Sequence, residues 1–283
     1  MMTQLREKMK MDLELKGYSP NTQKSYLKSI EKFAQYYSKS PEVLGADQIR
    51  GYLHYLATNS ETGASTLDIL YSALKFLYET TLEQDWSIKK FPRTKRPKRL
   101  PILLAPSEIK MLFNAATNPK HKAILMTLYG AGLRASEVAH LQVSDIDSKT
   151  MQIRVRQAKG KKDRYTLLSI ENLKILRTYW LHCKPTLWLF PGATPDIPLT
   201  GKAVGLLFAK AKRQANIKKS VSPHTLRHCF ATHLLEAGTS IYHIQHLLGH
   251  SHPKTTSVYI HLTRKDILHV ISPLDRLFSE ANE

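Results

Sequence analysis

Residues 86–107, WSIKKFPRTKRPKRLPILLAPS, restrict the folding of this chain more than any other stretch. The segment has no acidic residue, and Lys89, Lys90, Arg93, Lys95, Arg96, Lys98 and Arg99 crowd into it. Pro92, Pro97 and Pro101 fix φ and remove backbone donors, so no regular helix runs through it. The chain is therefore expected to divide into a domain at 1–88, a basic proline-containing linker at 89–106 and a second domain at 107–283. A stiff cationic linker can lie along a phosphate backbone while its flanking domains grip a duplex, or it can be a solvated hinge. Its own composition leaves both readings open.

Before the linker, the apolar spacing predicts four amphipathic helices. The first ends at Gly17. The second opens with Ser19 as N-cap and Pro20 at N1, and carries Tyr26, Ile30, Phe33 and Tyr37 at helical intervals. The third has Ile49, Leu53 and Leu56, and the fourth has Leu67, Leu70, Leu74 and Leu77. Short connections make these a small helical bundle. After the linker, helices are again expected, with one exception. Met151, Ile153 and Val155 alternate with Gln152, Arg154 and Arg156, the period of a half-buried strand, and RYTLL at 164–168 returns as a second strand after the KGKK turn. The fold class is mainly α with a small antiparallel β-sheet.

Charge narrows the partner. Forty-two Lys and Arg against 23 Asp and Glu leave a net +19, an excess that favours a polyanion because each neutralised phosphate releases counterions. No apolar run approaches the roughly 20 residues that a membrane span needs, and no partner membrane is expected. The charged N-terminus lacks the apolar core of a secretory signal. Two cysteines, Cys183 and Cys229, make no disulfide framework, so a reducing cytoplasm is the expected compartment.

The segment SPHTLRHCFATHLLEAG, 222–238, concentrates histidines beside Arg227, and HIQHLLGHSHP follows at 243–253. His224/His228 and His246/His250 have i, i+4 spacing, as zinc ligands on a helix do. Pro223 begins the helix beside His224, however, and free N–H groups with a positive dipole end suit an oxyanion and repel a cation. Neither pair encloses the glutamate of a metal-hydrolase helix. An anion site is favoured over zinc, and packed structural histidines remain the bland alternative. His233 lies close to the Leu226, Phe230 and Leu234 stripe and reads as a core residue.

Three other segments add weak signals. Arg134 follows a tight Gly-Ala-Gly-Leu turn, Lys159 sits at a hairpin tip, and His250 follows Gly249 with Tyr259 nine residues on. Each alone has an ordinary surface or core explanation. Together, in this order, they closely resemble the tyrosine recombinases, the phage-integrase family, and within it the short Xer-like members. The matching stretches are GAGLRASEV, AKGKKDR, HTLRHCFATHLLEAG, LLGHSHPKTT and TTSVYIHL, and YSPNTQKSYLKSIEKFAQYY resembles the family's core-DNA-binding domain. The only departure noted is Cys229, where Xer-like members often have serine.

The resemblance implies an N-terminal four-helix, SAM-like core-DNA-binding domain and a C-terminal catalytic domain. It implies strand exchange through a 3′-phosphotyrosyl intermediate and a Holliday junction, with no metal or other cofactor. Arg134 and Arg227 would clamp the phosphate, and His250 would donate a further hydrogen bond. Tyr259 would be the nucleophile with His224 as proton acceptor, and Lys159 would protonate the leaving oxygen. The expected partners are double-stranded DNA with inverted-repeat half-sites and further recombinase copies, a dimer on each site and a tetramer at synapsis, all at the bacterial nucleoid. The tail after Tyr259 is expected to dock in a neighbouring protomer, although it can also fold back at home. Because the helical bundle starts at once, simple recombination sites are expected instead of accessory-site assemblies. Integration, excision, inversion and dimer resolution all fit this plan. A type IB topoisomerase-like nicking-closing enzyme and a catalytically silent DNA-binding regulator are the alternatives within the fold.

Overall fold

A computed structural model describes residues 4–59, 62–84, 101–156, 163–250 and 253–259. The chain separates into two compact units, 1–98 and 99–283. The cationic positions from Lys89 to Arg99, the Lys159 hairpin tip and the tail beyond Tyr259 lie outside the described residues.

The first unit packs α1 (Gln4–Leu15), α2 (Pro20–Tyr37), α3 (Ala46–Asn59) and α4 (Ala64–Phe76), the last continued by a π-helical turn at Leu77–Thr81. The α2 start matches its sequence signal. Ser19 Oγ accepts the Thr22 amide at 3.3 Å, and Pro20 occupies the first turn. Met9, Leu13, Phe33, Leu74 and Leu77 are fully buried and form the centre of this bundle. At the far end of α4 the Tyr78 hydroxyl lies 2.8 Å from both the Pro41 and Leu44 carbonyl oxygens, which fixes the connection between α2 and α3.

The second unit contains α5 (Pro106–Ala115), α6 (Pro119–Gly130) and α7 (Ala135–Ala139), then strands β1 (Ile146–Asp147), β2 (Gln152–Val155) and β3 (Arg164–Leu167). It continues with α8 (Ile170–Cys183), α9 (Gly201–Gln214), α10 (Pro223–Glu236), α11 (Ile241–Leu248) and α12 (Pro253–Thr256), closing on a 3-10 turn at Ser257–Tyr259. The sheet is antiparallel throughout in the order β1-β2-β3, with Ile153 opposite Thr166 and Arg154 opposite Tyr165. Strand β1 adds to the two strands expected; two residues are too few for any alternation to announce them. The burial of β3 is inverted relative to its hydropathy. Arg164 and Thr166 face inward, whereas Tyr165 and Leu167 are exposed.

Helix α10 runs through the core. Leu226, Cys229, Phe230 and Ala231 are buried, and so are Thr225, Arg227 and Thr232, so its burial extends well beyond the expected Leu/Phe stripe. Cys229 Sγ accepts the Leu104 amide at 3.3 Å and so ties the beginning of the unit to this central helix. Among the described residues no helix is long and apolar enough to cross a membrane.

The turn after α6 delivers Arg134 and depends on Gly132, whose φ is +61°. A Cβ there would overlap the Phe230 ring and approach Leu248 Cδ2 to 3.1 Å. Gly132→Ala therefore combines an unfavourable φ with overpacking against a buried ring and should lower stability by about 2–4 kcal/mol. Urea unfolding followed by tryptophan fluorescence should show this loss, whereas Gly63→Ala, at an open helix start, should leave the second unit unchanged.

Candidate active site

The site is organised around a carboxylate. Glu137 sits in α7, three residues after Arg134, and its side chain is 9% exposed. Its oxygens accept from the Arg134 amide at 2.8 Å and the Arg134 guanidinium at 2.5 Å. From β3, Arg164 donates to both oxygens, at 2.9 and 2.8 Å. From α10, Arg227 approaches to 3.5 Å. Burial alone would raise this carboxyl, but hydrogen bonds and charge from Arg164, then from Arg134, hold it at about 2.

Arg227 is completely buried. It donates to the Gly132 carbonyl at 2.7 Å and to the Leu248 carbonyl at 2.5 Å. Both carbonyls lie at or just beyond the C-terminal ends of helices, α6 and α11, where the backbone is electronegative and suits a cation. Desolvation and then the charge of Arg134 lower the guanidinium to about 10, which leaves it charged at neutral pH. The Arg134 side chain remains 27% exposed. One guanidinium is therefore a floor beneath the site, and the other is open to solvent at its edge.

Arg164 also fixes the segment that leads to His250. Its Nε donates to the Leu247 carbonyl at 3.0 Å, at the end of α11. A Cβ on Gly249 would meet Arg164 Cδ at 2.6 Å, and Gly249 has φ +62°, so glycine is required there on two counts. The chain then turns to His250, whose Nδ1 pairs with Thr256 Oγ1 at 3.0 Å. The His250 ring stacks on Tyr259, with centroids 6.5 Å apart and planes at 11°.

Tyr259 is 2% exposed, and its hydroxyl lies 3.2 Å from Nδ1 of His228. His228 in turn meets His224 edge to face, with centroids 4.5 Å apart. Desolvation, followed by the charges of Arg227 and Arg134, lowers His224. The same order of causes lowers His250 to about 4. His228 is also brought to about 4, by burial first, then His224 and Arg227. Burial raises the Tyr259 phenol, and the two arginines oppose that shift. At neutral pH the site thus holds neutral imidazoles and a protonated phenol under a field of guanidinium charge.

Five of the six residues expected from the sequence, Arg134, His224, Arg227, His250 and Tyr259, come together here; Lys159 lies outside the described residues. Glu137, Arg164 and His228 complete the arrangement and were not assigned roles from the sequence. His228 had a visible signal in its i, i+4 spacing from His224. Glu137 follows Arg134 at i+3. Arg164 gave no signal beyond a charged residue opening a strand. His233, expected as a core histidine, is partly buried against Tyr129, and its Nδ1 pairs with the Tyr129 hydroxyl at 2.9 Å. Among the described residues no three of His, Cys, Asp and Glu are grouped to hold a metal ion.

The family model described as the phage integrase family matches residues 103–266, and the one described as phage integrase, N-terminal SAM-like domain, matches 5–88. The chain belongs to the phage integrase family. It is a tyrosine recombinase, a DNA strand-transfer enzyme, with a SAM-like N-terminal and an integrase catalytic C-terminal domain. The y4qK protein of Sinorhizobium fredii is 43% identical over 277 residues, covering 98% of this chain and 90% of that protein. Tyrosine recombinase XerA of Pyrococcus horikoshii is 35% identical over 266 residues, covering 92% and 89% of the two chains. Among solved structures, a XerA recombinase aligns over 100% of this chain and 99% of its own at 27% identity, with a TM-score of 0.55. A lambda integrase fragment shares the fold at 19% identity over 90% and 93% of the chains, with a TM-score of 0.74.

The titrations predict acid sensitivity with a definite sign. His228 and His250 are depressed from an ordinary 6.5 to about 4 in the folded protein, so the unfolded chain takes up protons first. Their contribution to stability is intact above pH 6.5 and is lost as pH falls towards about 4. Below about 4.5 the depressed Glu137 adds a further loss down to about 2. Discounted for the partial exposure of the imidazoles, each histidine should account for about 1 kcal/mol between pH 7 and pH 5. Urea unfolding at both pH values should show the decline, and His250→Asn should reduce it.

Proposed function

We propose that this chain recombines duplex DNA at specific sites, cutting and rejoining strands through a 3′-phosphotyrosyl intermediate on Tyr259. The observation that supports this best is the placement of Tyr259 under the charge of Arg227 and Arg134, a pairing that pure DNA binding does not require. A phosphodiester under in-line attack gathers charge on its non-bridging oxygens, and fixed guanidinium donors meet that charge without reorganisation. Arg134, at the open edge, takes the phosphate oxygens directly. Arg227 supplies positive potential from beneath, and His224 and His250 provide hydrogen bonds around the same phosphate. Lys159 protonates the leaving 5′-oxygen. The covalent intermediate retains the energy of the broken bond, so ligation needs no nucleotide.

The partner is double-stranded DNA, in keeping with the net charge of +19. The cations from Lys89 to Arg99 track its backbone between the two domains. Inverted-repeat half-sites would be bound by a dimer and paired in a tetramer, in which the tail beyond Tyr259 docks on a neighbouring protomer. The nucleoid is the corresponding location.

Two substitutions test the chemistry. Tyr259→Phe keeps the phosphate clamp, so site binding should persist while covalent adducts on a nicked suicide duplex disappear. An adduct with this variant would rule out Tyr259. Lys159→Ala should cleave ordinary DNA about a hundredfold or more slowly, and should recover on a substrate with sulfur as the 5′-bridging atom, a leaving group that needs no proton. Equal impairment on both substrates would move the acid role to another residue.

A further inference from the structure

Two histidines of α10 line this site, and only one of them, His228, contacts Tyr259. His224 and His228 are four residues apart, so their rings leave the same side of the helix one above the other. His224 is the member that senses both Arg227 and Arg134. His228, one turn further along, is the one within hydrogen-bond reach of the Tyr259 hydroxyl, at 3.2 Å from Nδ1. The His228 and Tyr259 rings lie 5.7 Å apart and tilted at 55°, so they do not stack. The stacking neighbour of Tyr259 is His250, whose Nδ1 is already paired with Thr256.

We infer that His228 is the general base of strand cleavage: its Nδ1 removes the phenolic proton as Tyr259 Oη attacks phosphorus. The inference rests on the reading of Tyr259 as nucleophile and gives the proton-accepting role to His228 in place of His224. In the step, the Oη–H bond breaks and its proton passes to Nδ1. The Oη–P bond forms, the P–O5′ bond breaks, and the 5′-oxygen departs with a proton from Lys159. In ligation the 5′-hydroxyl attacks, its proton goes to the Lys159 amine, and the His228 imidazolium returns its proton to Oη as the Oη–P bond breaks. Protons and electron pairs balance over the cycle without a co-reactant.

Three features of the surroundings suit this role. The charged and titratable groups acting on His228 are His224 and Arg227 on its own helix and Tyr259 from the C-terminal turn. Burial first, then His224 and Arg227, keeps the imidazole neutral near pH 7, so an acceptor is present in nearly every molecule. With Nδ1 as acceptor, the ring proton sits on Nε2. His224 is thereby left free to serve the phosphate, and one residue does not have to serve two reacting atoms.

The test compares single-turnover cleavage of a nicked suicide duplex by the full-length wild type and by His228→Asn. Asparagine places an acceptor oxygen near the position of Nδ1 but cannot hold the proton. Both proteins are prepared with tyrosine and with a fluorinated, more acidic tyrosine at position 259. His228→Asn should bind the site normally and cleave about a hundredfold or more slowly, within the usual range for a lost general base. With the acidic phenol the deficit should shrink at least tenfold, because less proton removal is required. A role in packing alone gives the same deficit with both phenols. That result, or cleavage at the wild-type rate, overturns the inference. If His228→Asn does not fold, His228→Gln is read by the same ratio. An adduct that survives Tyr259→Phe would instead remove the nucleophile assignment itself, so the two failures are distinguishable.

Discussion

One buried carboxylate holds the catalytic unit in its working arrangement. Glu137 brings together guanidiniums from three elements, α7, β3 and α10, that are far apart along the chain. Arg227 is fully enclosed and Arg164 nearly so. Cations that far from water are strongly unfavourable without an anion and a full set of acceptors. Glu137 provides the anion, and the carbonyls of Gly132, Leu247 and Leu248 provide acceptors, leaving Arg227 Nε as the one buried guanidinium nitrogen of Arg227 without a partner. The pair energies matter less here than the geometry, since a buried ion network of this kind accepts few alternative packings. Removing its single carboxylate would leave like charges facing one another, a defect of about 3–5 kcal/mol or more for a broken buried pair.

That network also explains why two glycines and an inverted strand occur where they do. For Arg164 to reach Glu137, β3 must turn its polar residues inward and leave Tyr165 and Leu167 in solvent. For Arg227 to reach its carbonyl acceptors, the chain must curl tightly after α6 and after α11. The φ values of +61° and +62° at Gly132 and Gly249 accomplish this. The same two turns lead directly into Arg134 and His250. The residues proposed to meet the phosphate are thus carried by backbone whose course is fixed by buried charge.

Much of this architecture was legible in the sequence, and the limits have physical reasons. Ser19-Pro20 announced α2 because capping is local, and the alternation at 151–155 announced β2 because one face of that strand is buried. The Arg134, His224, Arg227, His250 and Tyr259 set was visible through its likeness to a known pattern. Glu137 and Arg164 were not, because their roles arise from pairing across 27 residues, and Arg227 finds its carbonyl across 95. A charged residue in a short helix or at a strand start looks solvated until its partner is known. His228 was seen first as half of a possible metal pair. Only the return of the chain at Tyr259, 31 residues later, gives that ring its partner.

The contrast between the buried and the open arginine bears on how cleavage is held in check. Burial first, then the neighbouring His224 and Arg227, depresses His228, while burial raises the Tyr259 phenol, so both shifts oppose proton transfer from Tyr259 to His228. On the proposed function, a phosphodiester arriving at Arg134 would place an anion in the same field. Its charge would offset the guanidinium part of the depression and so raise the basicity of His228. The substrate would thus contribute, on the proposed function, to its own activation. Arg227, buried and held by carbonyls and Glu137, changes little in this process. Arg134, paired to Glu137 yet 27% exposed, is the guanidinium through which DNA binding would reach the proposed proton-transfer pair.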